Sequence, residues 1–229
     1  MQPSPSASSV AIIALSFAAG AMDAFAFLSL GGVFTSIMTG NLVISGLFQR
    51  PDYAATVTGI GTAVVLFITS VAIGFSVTKP GTGRNSFRRW FFLLVATLAL
   101  ATIVAVGWIF LHDHANLAVR CIVIAVSASA MGLQSVVAKR AFSSTGFSTT
   151  YMTGNITSLV GDIVEGQARQ TQLTRALGIV AVVVGSVSSA AMMFALPALG
   201  ASIPLVGMIV AVIALRGLVQ RPPAPHPAA

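Results

Sequence analysis

Thr35-Ser36-Ile37-Met38-Thr39-Gly40-Asn41 returns in the second half of the chain as Thr149-Thr150-Tyr151-Met152-Thr153-Gly154-Asn155. Each copy is a polar, glycine-containing break, and each follows a long apolar run. A polar break repeated at matching places in two halves is the pattern of a membrane transporter or pore built from a duplicated unit.

The composition around these breaks excludes most other classes. Of 229 residues, 56% are hydrophobic and only 7% are charged, against about 25% charged in a soluble domain. A soluble fold could not cover its surface with so few charges, so the chain reads as a polytopic integral membrane protein with the lipid bilayer as a partner. The net charge of +7 is no nucleic-acid signal, because the basic residues fall between apolar spans, where topology determinants belong. A single cysteine, Cys121, excludes an intramolecular disulfide and a cysteine zinc site; it reads as a small core residue. No cofactor or metal is expected, and homo-oligomerisation is left open. Met1 to Ser9 carry no positive charge, and the apolar run that follows contains an acid and is too long for a signal-peptide core. It reads as the first retained helix.

Spanning helices need about 20 apolar residues. Six stretches qualify: Val10–Leu30, Ala54–Thr78, Phe87–Leu111, Ala115–Ala138, Thr174–Leu196 and Leu199–Val219. Two shorter segments, Ser36–Phe48 and Thr150–Val164, begin in the repeated motif. If both dip in and return, ten of the twelve basic residues fall on the cytoplasmic side, and only Arg50 and Arg120 lie near the outer one. This favours six spans with both termini cytoplasmic. The expected fold is an all-α membrane bundle in one domain: a first half at 9–111, a second at 112–219, and a Pro-rich disordered tail at 220–229. Three spans per half would invert the second half relative to the first and put a binding site near the midplane.

Asp23 is the sharpest single residue. It is the only acid well inside a full span, and a carboxylate in hydrocarbon costs at least ~2.5–3.5 kcal/mol on insertion scales. It must face protein, water or a partner. The functional reading is a proton or cation site; the bland one is a carboxyl hydrogen-bonded to a neighbouring helix. Thr39, Gly40 and Asn41, with Thr153, Gly154 and Asn155, come next. Glycine permits unwinding, and asparagine is a strong helix N-cap whose amide both donates and accepts. Each Asn would open a short helix whose N-terminus suits a polar or anionic ligand. Asn41 and Ser45 would share a face, as would Asn155, Ser158 and Asp162. The bland reading is a polar contact where two tips pack. Gln134 lies near the counterpart of Asp23, as a lining residue or as an interhelical hydrogen bond.

Other features read as packing or topology. Gly59, Gly61, Gly74 and Gly185, with nearby serines, read as close helix contacts. Trp90 reads as an interface anchor beside Arg88 and Arg89, and His112-Asp113-His114 as a solvated turn. No nucleophile–base pair points to an enzyme.

At these residues the chain resembles the YoaK-like family of uncharacterised bacterial multi-pass membrane proteins. The first stretch is Gly20-Ala21-Met22-Asp23-Ala24 with Leu30 to Ser36 and Met38-Thr39-Gly40-Asn41-Leu42. The second is Ala130-Met131-Gly132-Leu133-Gln134 with Thr149-Thr150 and Met152-Thr153-Gly154-Asn155. Ser135-Val136 departs from the pattern, where a polar Asn-like position is expected. The resemblance implies a bacterial cytoplasmic (inner) membrane protein and no particular substrate. From the residues, the expectation is a secondary transporter of a small polar solute or ion, proton-coupled through Asp23. The alternatives are a passive channel lined by the same tips and a non-transporting scaffold.

Overall fold

The computed structural model describes residues 5–79, 84–142 and 148–219. Among these it contains eight α-helices and no strand. They are α1 (Pro5–Ser29), α2 (Met38–Ser45), α3 (Tyr53–Val77), α4 (Arg84–Leu111), α5 (Leu117–Ala141), α6 (Met152–Val164), α7 (Arg169–Ala195) and α8 (Ile203–Val219). Six are long and apolar enough to cross a membrane. They coincide, within a few residues, with the six stretches read from the sequence. At about 1.5 Å per residue, α2 and α6 are roughly 12 and 20 Å long, short of a ~30 Å hydrocarbon core. The tail at 220–229 lies outside the described residues.

Local chemistry ends the helices. After α1, Gly31 and Gly32 take φ of +93° and +76°, a turn that side chains with a Cβ resist. Asn116 caps α5, accepting from the Val119 N–H at 3.0 Å. Beyond α6, Gly166 has φ +68°, and Gln167 N–H donates to the Asp162 carbonyl at 2.8 Å. That is the bond which closes a Schellman end.

The order long, short, long, long occurs twice, and the packing follows it. In the first half α1 lies against α7 and α8; in the second, α5 lies against α3 and α4. Each leading helix is thus embraced by the trailing helices of the other half. These two are also the most buried of the spans. Glycine makes the contacts close. A Cβ on Gly20 would lie 2.1 Å from the Val182 carbonyl oxygen, and one on Gly185 2.1 Å from that of Phe17. A Cβ on Gly207 of α8 would lie 2.3 Å from the Ala14 carbonyl oxygen, and one on Gly132 of α5 2.8 Å from that of Phe67. Lipid tails are as apolar as leucine, so backbone approach of this kind supplies the van der Waals contact that holds membrane helices together.

Two expectations change at this level. Trp90 is 5% exposed and packs with Ile12, Leu15, Leu94 and Phe142, so it is a core residue rather than an interface anchor. Cys121 is half-buried rather than in the core.

Candidate functional site

Each break is held by the same clamp. Phe34 N–H donates to Asn41 Oδ1 at 2.8 Å, and Asn41 Nδ2 donates to the Phe34 carbonyl at 2.7 Å. In the second half Ser148 N–H donates to Asn155 Oδ1 at 3.1 Å, and Asn155 Nδ2 donates to the Ser148 carbonyl. Met38 and Met152 place their sulfurs 3.9 and 3.7 Å from the respective amide nitrogens. Both asparagine side chains are buried. The physical demand is plain: a main chain that leaves the helix within a bilayer still needs partners for its N–H and C=O. A primary amide can turn one of its two N–H donors and its C=O to the main chain of a single residue at once.

This corrects the reading of Asn41 and Asn155 as N-caps. α2 and α6 begin at Met38 and Met152, before the asparagines. Their capping positions, Ile37 and Tyr151, make no side-chain cap bond. The amides bond back to the loop that precedes each short helix. Thr39 and Thr153 are exposed, and Gly40 and Gly154 are half-buried. A Cβ on Gly40 would meet the Phe34 ring at 3.0 Å, and one on Gly154 the Tyr151 ring at 2.0 Å. The glycines therefore let an aromatic ring lie over the first turn of each short helix.

The tethers of the two breaks differ. Asp23, 5% exposed, accepts at Oδ1 from Thr35 N–H (2.7 Å), Ser36 N–H (2.8 Å) and the Thr35 hydroxyl (3.1 Å). Its Oδ2 accepts from the Ser36 hydroxyl. In the second half Gln134 Nε2 donates to the Leu15 carbonyl at 3.0 Å and approaches Thr149 Oγ1 at 3.5 Å. Ser135 Oγ lies 3.1 Å from Thr150 Oγ1. Gln134 and Ser135 thus meet Thr149 and Thr150 where Asp23 meets Thr35 and Ser36. Gln134 Oε1 has no hydrogen-bond partner, nor do the buried hydroxyls of Ser16 on α1 and Ser127 on α5.

The breaks open on two crevices. One, of about 380 Å³, lies between α1 and α7 and is lined by Asp23, Phe27, Leu28, Ile37, Ser186 and Val187. The other, of about 700 Å³, lies between α5 and α3 and is lined by Phe67, Val71, Phe75, Lys139, Arg140 and Tyr151. Each is formed by a leading helix, the second span of the opposite half, and the residues before a short helix. The short helices pack on different partners, α2 on α3 and α6 on α7. Asp23 and Ile37 line the first crevice, and Ser135, Ser148 and Tyr151 the second. Asp162, expected on a face with Asn155 and Ser158, is joined to Arg175 of α7 at 2.7 Å.

Ser135, Lys139 and Arg140 entered the sequence reading only as a departure from a pattern and as topology determinants. The available signal was their position: all three follow Gln134 within six residues on α5.

The family described as a protein of unknown function (DUF1275) matches residues 11–215. The chain is also similar to the UPF0700 transmembrane protein YoaK of Bacillus subtilis (strain 168), with 35% identity over 150 residues. That region covers 65% of this chain and 64% of that protein, so the match spans less than two thirds of the relative. No solved structure matches.

Proposed function

The chain belongs to the membrane-protein family of unknown function DUF1275, and on that premise we propose that it is a secondary transporter of a small polar solute or ion. It is built from two inverted halves whose short helices re-enter the bacterial cytoplasmic membrane. The observation that carries this reading is the pair of crevices at corresponding places in the two halves. With three spans per half and both termini cytoplasmic, the α1–α7 crevice faces outward and the α5–α3 crevice faces inward. Alternating access needs such a pair, opened in turn by rocking of one unit against the other. The unpartnered hydroxyls of Ser16 and Ser127, buried on the two central helices, support a hydrated route between them, since buried polar groups normally hold protein or water partners.

Asp23 is the proton carrier in this reading. Its carboxylate gathers four donors from Thr35 and Ser36. A proton added to the carboxyl removes an acceptor site and leaves a donor competing with those four. The loop between α1 and α2 then loosens. Protonation and the position of the first break are thereby coupled, with no direct contact between Asp23 and the solute.

Two experiments test the reading. On a Cys121→Ser background, single cysteines at Thr39 or Thr153, both exposed, are labelled with a membrane-impermeant maleimide in oriented vesicles. Labelling of position 39 from outside and of position 153 from the cytoplasm is expected; labelling of both from one side would overturn the inversion. In proteoliposomes screened with small polar solutes, uptake should depend on an imposed pH gradient, and Asp23→Asn should abolish that dependence. Persistence of the gradient dependence in the variant would overturn the coupling role.

A further inference from the structure

The inward crevice has a feature that topology alone does not require. Arg140, in the last turn of α5, holds its guanidinium carbon 5.0 Å above the Phe75 ring centre. Its Nε is buried and without a hydrogen-bond acceptor. Lys139 stands beside it on the same wall. Among the described residues no acid side chain supplies a counter-charge. The chain has five. Asp23 is bonded to Thr35 and Ser36, Asp162 to Arg175, and Asp113 lies beside His112. Asp52 precedes α3, whose opposite end carries Phe75, about 34 Å away at 1.5 Å per residue. Glu165 follows α6, about 21 Å from Tyr151 on the same measure. A buried guanidinium N–H with no acceptor is costly. The fitting partner is an anion from outside the chain.

The rest of the crevice sets the shape of that anion. Phe67, Val71 and Phe75 form one continuous wall along α3, at helical spacing of four. About 700 Å³ is within the range of small-molecule sites, which are mostly apolar with a few placed polar groups. Among the described residues no basic side chain lines the outward crevice, where Phe27 and Leu28 stand beyond Asp23. The basic pair is therefore particular to this crevice and is not a general feature of the construction.

We infer that the α5–α3 crevice binds an amphiphilic organic anion. Its carboxylate or phosphate is held by Arg140 and Lys139, and its apolar body lies along Phe67, Val71 and Phe75. This deepens the transport reading by naming the class of solute, and it rests on that reading only in making the anion a cargo.

The test is binding, measured without transport. The full chain in phosphatidylcholine nanodiscs is titrated with 4-phenylbutyrate, and with 4-phenylbutanol as the uncharged control, following the thermal unfolding midpoint. A ligand that binds only the folded state raises the midpoint in proportion to its occupancy. The acid should give a saturable rise and the alcohol none. Arg140→Gln should weaken the acid at least tenfold, and Lys139→Gln several-fold; Arg140→Lys, which keeps the charge without the planar fork, should fall between. Should Arg140→Gln fail to fold, Lys139→Gln and loss of affinity at high salt decide the matter. Equal shifts with acid and alcohol, no shift with either, or indifference to the basic residues would overturn the inference.

Discs containing phosphatidylglycerol separate the two sources of such an anion. If a lipid headgroup is the occupant, these discs raise the wild-type midpoint, Arg140→Gln loses that rise, and the soluble acid adds nothing. If the occupant is a solute, the acid's shift is the same in both lipids. Acid binding without uptake in proteoliposomes would leave the site standing and sink the transport reading. Uptake of other solutes without acid binding would do the reverse.

Discussion

The first and second breaks are clamped alike and tethered differently. The clamp joins an asparagine amide to main-chain atoms, at Phe34 in one half and Ser148 in the other. Because the bonded atoms are backbone, the residue clamped is free to vary, while the asparagine is not. The tether joins side chains to the Thr/Ser pair after the clamped residue, and here chemistry decides. A carboxylate only accepts, and four donors converge on Asp23. A neutral amide at Gln134 reaches Thr149 only at 3.5 Å and leaves its own oxygen unpartnered. One break is therefore held by an acid side chain on which four donors converge. The other is held by neutral groups, Gln134 at 3.5 Å from Thr149 and Ser135 at 3.1 Å from Thr150. The halves share their construction and differ in the chemistry of their tethers.

Removing the charged tether is the strongest way to break this comparison. Asp23→Ala leaves four buried donors without their acceptor, and each such orphan costs ~1–3 kcal/mol. The expected outcome is a loss of several kcal/mol, the largest among these substitutions, read as a fall in the unfolding midpoint of the purified protein. A loss no greater than that of Gln134→Met would make the two tethers equivalent. Asp23→Asn keeps the shape and one acceptor oxygen, so its stability loss should be smaller.

The clamps come next. Asn41→Ala and Asn155→Ala each orphan one N–H and one C=O, at the same ~1–3 kcal/mol per group. The two variants should lose about the same stability, less than Asp23→Ala and clearly measurable. A clear inequality would mean that one clamp is bent by its surroundings and that their likeness is one of geometry alone. Gly32→Ala tests the turn leading into the first clamp. It adds a Cβ at φ +76°, 2.7 Å from Arg50 Nη2. A loss of ~1–3 kcal/mol is expected from the backbone conformation.

Much of this was legible in the residues. Six spans followed from length and hydropathy, because helices are the only open-ended structure that satisfies its own backbone in lipid. Asp23, Gln134 and the paired breaks stood out because polar groups are rare in such segments. What the sequence withheld was direction. Asn41 and Asn155 are in the sequence as amides at the start of short helices, and cap preference argues that they face forward. Only the fold reveals that they reach back to Phe34 and Ser148, because the partner is main chain and leaves no mark in the side chains. The separation of the two crevices was hidden for a related reason. It depends on α1 and α5 being exchanged between the halves, and the small residues that permit the exchange, such as Gly20 and Gly185, read equally well as contacts between any two helices.

The smallest expected effect is the one that sharpens the comparison most. Gln134→Met keeps the bulk of the side chain and deletes both polar ends. The lost bond to the Leu15 carbonyl at 3.0 Å orphans little, since Leu15 lies inside α1 and its carbonyl keeps its helical partner. The approach to Thr149 at 3.5 Å is beyond the usual N–H···O range and contributes little. Against a lost bond worth ~0.5–1.5 kcal/mol stands the removal of a buried oxygen that has no partner, itself worth ~1–3 kcal/mol. The sum should lie within about 1 kcal/mol of zero and can fall on the stabilising side. The unfolding midpoint of Gln134→Met should therefore stay close to wild type, while Asp23→Met drops it far below. If Gln134→Met instead costs as much as Asn155→Ala, the second break depends on its neutral tether as firmly as on its clamp. The asymmetry between an acid tether and a neutral one would then be lost.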